Sequence, residues 1–252
     1  MNGSYAASAM LYHPWHADRS WKMSHGERAT VLHVLNLAAA PSALEVGTSQ
    51  GGCLQHIAKH AQKTYSIDID PSVRDVLAPD LPAVEFLTGD SKQLIGVVLK
   101  HCVERAQPLG FALIDGDHTY EGVKADLTAL LAIRPERPLW VLMHDSINPG
   151  CRTGIAEAPW SANPHVHMVD LDFVTGVLSD DPAFERQLWG GLAIALLLPQ
   201  PRTHSLVLAA SAASNYDALW RASCHYPSLS NHIRAWCAVK RRGLIRRMAR
   251  FR

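Results

Sequence analysis

The chain has 252 residues, with 24 Lys and Arg against 23 Asp and Glu, and 48% of its residues are hydrophobic. This length suits one α/β domain with terminal additions, and the composition argues against wholesale disorder. No apolar run reaches the ~18 residues that a membrane-spanning helix needs, and we expect no secretory signal. The five scattered cysteines, with no Cys-x-x-Cys pair, favour reduced thiols in a cytoplasmic protein over a disulfide framework or a zinc site.

Charge is distributed unevenly along the chain. All acidic residues lie at or before Asp217, whereas nine of the 24 Lys and Arg follow it, so the body carries −8 and the end +9. An acidic body is not typical of a nucleic-acid binder, and we expect no nucleic-acid partner. The basic tail, Lys240 to Arg252, is either a solvated terminus or an amphipathic helix for peripheral contact with an anionic membrane. Self-association into a homo-oligomer stays open.

The beginning of the chain predicts an arm followed by a helix. Residues 1–24 contain aromatic and histidine side chains without a period, which fits an arm packed on the domain or a cap on the substrate side. Ser24 and Glu27 have capping-box spacing, and apolar residues then recur at helical intervals until Pro41. We therefore expect an N-terminal arm over 1–24, the main domain over 25–200, and a helical extension with a basic tail over 201–252.

The stretch around Gly47 organises the chain. Ala43 to Val46 reads as a buried strand, glycines follow, and Cys53 to Ala61 can form a helix. Such a strand, glycine turn and helix N-terminus bring backbone N–H groups close to a ligand. A purely structural turn is the alternative.

The spacing of the glycines within this turn narrows the range of possible ligands. Glu45, Gly47 and Gly51 follow the pattern E-x-G-x-x-x-G. Ser49 stands where the dinucleotide fingerprint G-x-G-x-x-G has its second glycine, against the pyrophosphate. This argues against a dinucleotide oxidoreductase.

The second strand ends in acids. Thr64 to Asp70 is a strand whose end lies about 20 residues past the turn, where a carboxylate can accept hydrogen bonds from ribose hydroxyls. We assign this role to Asp68, because Asp70 precedes Pro71 and is better placed to cap the next helix. A third strand, Val84 to Thr88, leads to Asp90 and Ser91, which either contact an adenine or cap the helix that follows.

Two further strands end in a cluster of polar side chains. Phe111 to Asp115 and Leu139 to Met143 alternate with helices, so five strands predict a parallel sheet. The stretches 166–171 and 192–198 read as two late strands. Asp170 to Trp189, between them, is acidic and aromatic, and with the N-terminal aromatic residues it is a candidate wall for the substrate.

The acids and histidines of this cluster suggest a divalent cation. Asp115 and Asp145 end neighbouring strands and offer hard oxygen ligands, and His144 offers a third ligand. His118, on the loop after Asp115, is placed to take a proton from a hydroxyl. Asp117 can instead be a helix cap, and His144 can simply form a hydrogen bond across the crevice.

These residues carry a family resemblance. The run Leu113-Ile-Asp-Gly-Asp-His-Thr-Tyr-Glu-Gly-Val-Lys-Ala-Asp126, with Glu45-Val-Gly-Thr before it and His144-Asp145 after it, resembles class I S-adenosylmethionine-dependent methyltransferases. The resemblance is to the branch of macrolide-sugar O-methyltransferases and cephalosporin hydroxylase-like proteins, and it covers roughly Glu27 to Asp145. It implies a Rossmann-like three-layer sandwich, with a mostly parallel seven-stranded sheet and an antiparallel last hairpin. It also implies Mg²⁺-dependent methyl transfer to a hydroxyl.

The resemblance also implies roles for individual residues. The cofactor S-adenosyl-L-methionine would be bound at its methionine end by the glycine turn, at its ribose by Asp68, and near its adenine by Asp90 and Ser91. Asp115 would serve both cofactor and metal, and His118 would be the general base. The residues so implied are Glu45, Gly47, Thr48, Ser49, Gly51, Asp68, Asp90, Ser91 and Asp115 for the cofactor, Asp115, His144 and Asp145 for the metal, and His118 and Asp115 for catalysis.

His144 departs from the pattern of this branch, where several metal-dependent relatives have an acid. Mg²⁺ prefers oxygen ligands to imidazole, so either the metal is softer, such as Mn²⁺, or His144 is no ligand, or no metal binds. The expected substrate is a small molecule or a sugar with a free hydroxyl, in natural-product or glycan biosynthesis. A hydroxylase-like or accessory protein that binds the cofactor without methyl transfer is the alternative.

Overall fold

The computed structural model describes residues 19–227. The helices are α1 His25–Ala38, α2 Leu54–His60, α3 Pro71–Leu77, α4 Ser91–Glu104, α5 Tyr120–Leu130, α6 Pro149–Ala156 and α7 Ala213–Ala222, with a 3₁₀ turn at Trp160–Ala162. The strands are β1 Ser42–Val46, β2 Lys63–Asp68, β3 Val84–Thr88, β4 Leu109–Ile114, β5 Leu139–His144, β6 Val166–Val174, β7 Val177–Leu178, β8 Leu188–Trp189, β9 Leu192–Leu197 and β10 Leu208–Ala209.

One twisted sheet has the strand order β10-β6-β9-β5-β4-β1-β2-β3. Strands β1 to β5 pair in parallel, and β9 is antiparallel to both of its neighbours. The order reverses between β1 and β4, which creates a crevice at the carboxyl ends of these two strands. Gly47 and Asp115 follow them, so the fold brings the two sequence motifs together.

Helices cover both faces of the sheet. Alternate residues of β1 enter different cores: Ala43 packs with α1 and α2, whereas Leu44 and Val46 pack with α4, α5 and α6. A smaller apolar group joins α3 to the outer strand β3. This alternation is why β1 reads as a continuous apolar run, since a strand covered by helices on both faces has no side facing water.

The predicted Rossmann-like three-layer sandwich with an antiparallel last hairpin is confirmed, but the predicted strand number was wrong. The sheet has eight strands, because β10 adds in parallel beside Val169 and Asp170 of β6. Two residues are too few to show a period of two, so the sequence gives no signal for this strand. Strands β7 and β8 form a separate hairpin within the acidic and aromatic segment.

Most of the helix N-caps predicted from the sequence agree with those observed. Ser24 and Glu27 form both bonds of the capping box of α1, and Asp70 caps α3 with Pro71 in its first turn. Asp90 caps α4. Asp117 is not the N-cap of α5; Thr119 is, and Asp117 accepts a hydrogen bond from the Thr119 backbone at 2.9 Å.

No helix within residues 19–227 is long and apolar enough to cross a membrane. The aromatic residues before position 19 and the basic tail from Lys240 lie outside the described residues, so the predictions made for them stay predictions.

Candidate active site

The glycine turn after β1 fits tightly against the neighbouring strand end. Gly47 has φ +83°, and a Cβ there would lie 2.1 Å from the backbone oxygen of Asp115. Gly51 has φ +76°, and a Cβ at Gly52 would lie 2.2 Å from the Ser20 carbonyl oxygen. Only glycine permits this backbone conformation at position 47. The absence of a side chain here leaves the crevice between β1 and β4 open.

Asp68 organises the turn from the end of β2. Its Oδ2 accepts hydrogen bonds from the backbone N–H groups of Thr48 and Ser49, each at 2.9 Å. Its Oδ1 accepts from the Asp70 N–H at 3.0 Å. A carboxylate has about four lone-pair sites, so three bonds leave room for about one hydroxyl of a ribose.

Glu45 forms the floor of the turn. It is 1% exposed, and its Oε2 accepts no hydrogen bond from residues 19–227. Burial raises the pKa of the Glu45 carboxyl to about 8, with a further contribution from the nearby charge of Asp115. The neighbouring Cys53 thiol is also buried, and its pKa is raised well above its usual value. A buried acid with an unused oxygen fits a cationic ligand, since a positive charge would offset the cost of its ionisation.

Asp90 and Ser91 begin α4 beside this turn. Asp90 accepts from the Lys92 backbone and lies 2.9 Å from the Lys92 Nζ. Ser91 Oγ donates to Asp126 Oδ1 at 2.6 Å. Asp126 is buried in α5, and burial raises the pKa of its carboxyl to about 6. Both alternatives from the sequence fit here, because the capping residues also line the crevice.

A single cavity of about 1460 Å³ runs along the carboxyl edge of the sheet. It joins the glycine turn to the polar cluster after β4 and β5. Every residue that we predicted as a site residue lines it except Gly51, whose turn packs on Leu77 of α3. The predicted residues that line it are Glu45, Gly47, Thr48, Ser49, Asp68, Asp90, Ser91, Asp115, His118, His144 and Asp145.

The polar cluster is compact. His144 Nδ1 lies 3.0 Å from Asp115 Oδ1 and 3.5 Å from Asp145 Oδ2. His118 Nε2 lies 2.9 Å from Asp145 Oδ2 and 3.6 Å from Asp115 Oδ1. The structure therefore brings together the two acids and two histidines that the sequence placed on separate loops.

The charges within the cluster shift the pKa of each member. Contacts with Asp115 and Asp145 raise the pKa of the His118 imidazole to about 10. Burial opposes a charge on His144, yet Asp115, Asp145 and Glu27 around it hold its pKa well above the usual value. Burial opposes the charge of Asp145 as well, but the two histidines and the Gly190 N–H keep its pKa below the usual range. The acids and histidines thus compensate one another's charge, and a cation would bind here with release of a histidine proton.

Asp115, His144 and Asp145 also suit a metal ion. Each offers one ligand atom, and these atoms lie within 4.8 Å of one another. Two carboxylate oxygens and one imidazole nitrogen are a donor set for Mn²⁺ and similar divalent ions. His118 stands beside this set with a side chain that is 43% exposed.

Glu27 is part of this site, although we predicted it only as a helix cap. Its Oε1 lies 3.2 Å from His144 Nε2 and accepts a hydrogen bond from the Gly191 backbone. The adjacent Gly190 N–H donates to Asp145 Oδ1. The sequence contains no local signal for this contact, because β9 brings Gly190 and Gly191 beside the end of β5 only in the folded sheet.

The β7–β8 hairpin supplies an aromatic wall. Trp189 contacts the His118 ring edge to face at 5.7 Å between centroids, and Phe184 contacts Trp189 in the same way at 5.7 Å. Phe184, Trp189 and Asp180 line the cavity. The sequence identified this segment as a candidate wall, but not which aromatic residue meets the histidine.

Comparison with known proteins identifies a family model that matches the part of the chain containing this site. Residues 44–146, about two fifths of the chain, match the model of a methyltransferase domain family. This region begins at the strand before the glycine turn and ends just after Asp145, so it contains both halves of the cavity. No curated protein sequence matches the chain.

Solved structures share the fold at low sequence identity. An O-methyltransferase from Bacillus cereus, in complex with SAH, aligns with a TM-score of 0.51 and 14% identity, over 77% of this chain and 87% of that one. The O-methyltransferase TomG from Streptomyces achromogenes, involved in tomaymycin synthesis and solved with SAM, aligns with a TM-score of 0.50 and 12% identity, over 79% and 91% of the two chains. These likenesses establish the fold, and the family match covers the two motifs. Residues 44–146 thus match a methyltransferase domain family, and they lie within a fold that the chain shares with these solved methyltransferases.

Proposed function

We propose that this protein transfers a methyl group from S-adenosyl-L-methionine to a hydroxyl of a small molecule or sugar, assisted by a divalent cation, Mg²⁺ or Mn²⁺. One observation carries the proposal. The glycine turn and the cluster of Asp115, His118, His144 and Asp145 open into the same cavity. A cofactor site thereby lies beside groups that can bind a cation and accept a proton.

The shape of the turn supports a role in cofactor binding for each of its residues. Glu45, with its unused buried oxygen, would face the ammonium group of the methionine part, beside Gly47, Thr48, Ser49 and Gly51. Asp68 would accept one hydrogen bond from the ribose. Asp90 and Ser91 would lie along the adenine, where the capping bond of Asp90 and the bond from Ser91 to Asp126 keep them in place.

The proposed catalytic residues lie at the end of the cavity that contains the polar cluster. When bound, a divalent cation at Asp115, His144 and Asp145 would lower the pKa of the acceptor hydroxyl, and S-adenosyl-L-methionine would supply the methyl group. Asp115 and Asp145 raise the pKa of His118 to about 10 in the cation-free protein, so His118 would act as the base only when a cation offsets the charge of these two carboxylates. His118 Nε2 would then accept the hydroxyl proton, and Asp145, 2.9 Å away, would stabilise the resulting imidazolium. Asp115 would serve both ends, because its backbone meets the glycine turn and its carboxylate meets His144. Much of the rate would come from holding the two reactants in contact.

The cavity supports a second ligand beside the cofactor. Its volume of about 1460 Å³ exceeds the ~300–1,000 Å³ that is common for a small-molecule site. Trp189 and Phe184 provide flat apolar surface, and Asp180 provides a hydrogen-bond acceptor near it. Aromatic surface next to carboxylates suits a sugar ring, which has apolar C–H faces and hydroxyls at its rim.

The wider assignments are part of the same proposal. We keep the division into an arm over 1–24, a methyltransferase domain over 25–200 and an extension over 201–252. We also keep a cytoplasmic location, which the scattered cysteines favour, and a role in natural-product or glycan biosynthesis, which the family resemblance suggests. Peripheral membrane contact through the basic tail is testable by liposome flotation with and without residues 240–252.

The experiment uses the full chain with S-adenosyl-L-methionine labelled in the methyl group and a panel of polyols, glycosides and amines. Reactions run with Mg²⁺, with Mn²⁺ and with a chelator. We expect label in hydroxyl acceptors, more with metal than with chelator, and none with Asp115→Asn. Label only in amines would contradict transfer to oxygen. Equal transfer with and without chelator would contradict the role of the cation.

A further inference from the structure

We propose that Glu27 is the positioning residue of His144, and that it turns the Nδ1 atom of this imidazole toward the cation site. The proposal rests on the cation site of the proposed function and assigns it a residue that none of the site's own loops contains. Glu27 lies at the start of α1, more than 100 positions before His144 in the chain.

The two nitrogens of His144 face different groups. Nδ1 lies 3.0 Å from Asp115 Oδ1 and 3.5 Å from Asp145 Oδ2. Nε2, on the opposite side of the ring, lies 3.2 Å from Glu27 Oε1, which is an ion-pair contact rather than a hydrogen bond. If a cation displaces the Nδ1 proton while Nε2–H stays beside the Glu27 carboxylate, the Nδ1 lone pair becomes a ligand between the two aspartates. Histidine ligands of metals commonly have such a carboxylate on the second nitrogen, which fixes the tautomer and the ring orientation.

Glu27 is itself held rigidly. Its side chain is 4% exposed, and its Oε2 accepts from the Ser24 backbone N–H at 2.5 Å. Its Oε1 also accepts from the Gly191 N–H at 2.5 Å. Two backbone donors from separate elements therefore hold the carboxylate in place independently of its contact with His144.

The turn at the start of β9 adds a second independent feature. Gly190 and Gly191 have φ +73° and +81°, and their successive N–H groups donate to Asp145 and Glu27 respectively. A Cβ at Gly190 would lie 2.9 Å from Glu27 Oε1. One turn thus orients the carboxylates on both sides of the His144 ring, which is the arrangement a fixed ligand set requires.

This arrangement predicts a preference among metals. With His144 held as a nitrogen ligand beside two carboxylates, the site suits Mn²⁺ better than Mg²⁺, which favours oxygen ligands and retains water.

The test separates this role from helix capping. Mn²⁺ binding is measured by electron paramagnetic resonance on the full chain and on Glu27→Ala, Glu27→Gln, Ser24→Ala and Asp115→Asn. Ser24→Ala is the matched control, because it removes the other half of the capping box and leaves the contact between Glu27 and His144. We expect Mn²⁺ affinity to fall about 10–100-fold in both Glu27 variants and to be unchanged in Ser24→Ala, with SAH affinity retained in all three.

A spectroscopic readout keeps the proposal testable if the Glu27 variants are unstable. In the wild-type chain with Zn²⁺, ¹⁵N NMR of the histidines should show His144 coordinated through Nδ1 with a slowly exchanging proton on Nε2. Coordination through Nε2 would overturn the proposal.

The outcomes also distinguish this inference from the proposed function. Equal Mn²⁺ affinity in the wild type and in the Glu27 variants, with a lower Tm in Ser24→Ala as well, would show that Glu27 only caps α1. Failure of the wild type to bind Mn²⁺ any better than Asp115→Asn would remove the cation site, and this inference with it.

Discussion

The two ends of the cavity are built in different ways. The end that we propose for the cofactor, called the cofactor end, comes from short continuous segments: the turn over residues 45–52 and the ends of β2 and β3. Hydrogen bonds between backbones and to the Asp68 carboxylate connect these segments, and the opposite end, proposed for the acceptor, is called the acceptor end. The acceptor end draws Glu27, His118, His144 and Gly190 from four separate parts of the chain. The first end depends mainly on short local segments, which the sheet brings into position. The second end forms only when the whole sheet has formed.

Their electrostatics differ in the same way. At the cofactor end, Glu45 is buried alone, and its carboxyl pKa is raised to about 8. At the acceptor end, acids and histidines compensate one another, and the pKa of Asp145 is lowered. The cofactor end therefore keeps Glu45 mostly neutral at pH 7 until a cationic ligand favours its ionisation, while the acceptor end already contains its counterions.

Gly47→Ala is expected to have the largest effect, because it affects both ends. The new Cβ would lie 2.1 Å from the Asp115 backbone oxygen, at a φ of +83° that non-glycine residues rarely adopt. We expect a loss of at least about 3 kcal/mol in the free energy of unfolding, together with loss of SAH binding. Urea unfolding and calorimetric titration measure the two effects.

Gly96→Ala is the matched control for this substitution. A Cβ at Gly96 in α4 meets nothing within 4 Å, so alanine there should stabilise the protein by about 0.5–1 kcal/mol. Normal SAH binding by Gly47→Ala would mean that the turn tolerates a side chain and that the crevice is wider than its backbone contacts indicate.

His118→Ala tests the acceptor end alone. Loss of a general base should lower kcat by about 10²–10⁴-fold, while the Kd of SAH changes little, since the contacts of the His118 ring are with Asp115, Asp145 and Trp189. Single-turnover transfer and calorimetry are the measurements. The control is His33→Ala on the exposed side of α1, which should keep full activity. Undiminished transfer by His118→Ala would remove its assignment as the base.

Glu45→Gln should separate stability from ligand binding at the cofactor end. The pKa of Glu45 is raised in the folded state, from 4.5 to about 8, so its contribution to stability is complete below about pH 4.5 and is lost as the pH rises through 8. The glutamine variant does not ionise. It should be more stable than the wild type by an amount that grows over this range, on the order of 3 kcal/mol at pH 7.

Unfolding in urea at pH 5, 7 and 8.5 without ligand measures this difference. The same variant should bind SAH more weakly, because it lacks the charge that would face the ammonium group. A stability difference that does not change with pH would mean that Glu45 is ionised in the free protein and that another group compensates it.

The positions of the residues at the cofactor end followed from the sequence because their determinants are local. The glycine spacing after β1, the acid ending β2 and the cap of α4 each depend on a few neighbouring residues. The parallel order of five strands also followed from their alternation with helices. The two-residue strand β10 was missed because so short a pairing has no period.

The acceptor end was predicted only in part. Asp115, His118, His144 and Asp145 were found because each follows a recognisable strand, and strand ends meet at one edge of a parallel sheet. Glu27 was assigned to its local bond with Ser24, which is correct but incomplete. Its contact with His144 depends on how α1 packs on the sheet and on the antiparallel pairing of β9 with β5, and no spacing in the sequence encodes either.

The smallest expected effect concerns the aromatic wall. Trp189→Leu removes the edge contact with His118, and such aromatic contacts are worth about 0.5–1.5 kcal/mol. We expect the acceptor KM to rise about 3–10-fold, with kcat within a factor of about three and the Kd of SAH unchanged. Phe184→Leu is the control, because its ring contacts Trp189 but not His118, and its effect on KM should be smaller. If Trp189→Leu lowers kcat as strongly as His118→Ala and leaves KM unchanged, the ring acts by orienting the base, and the substrate wall must be sought elsewhere on the β7–β8 hairpin.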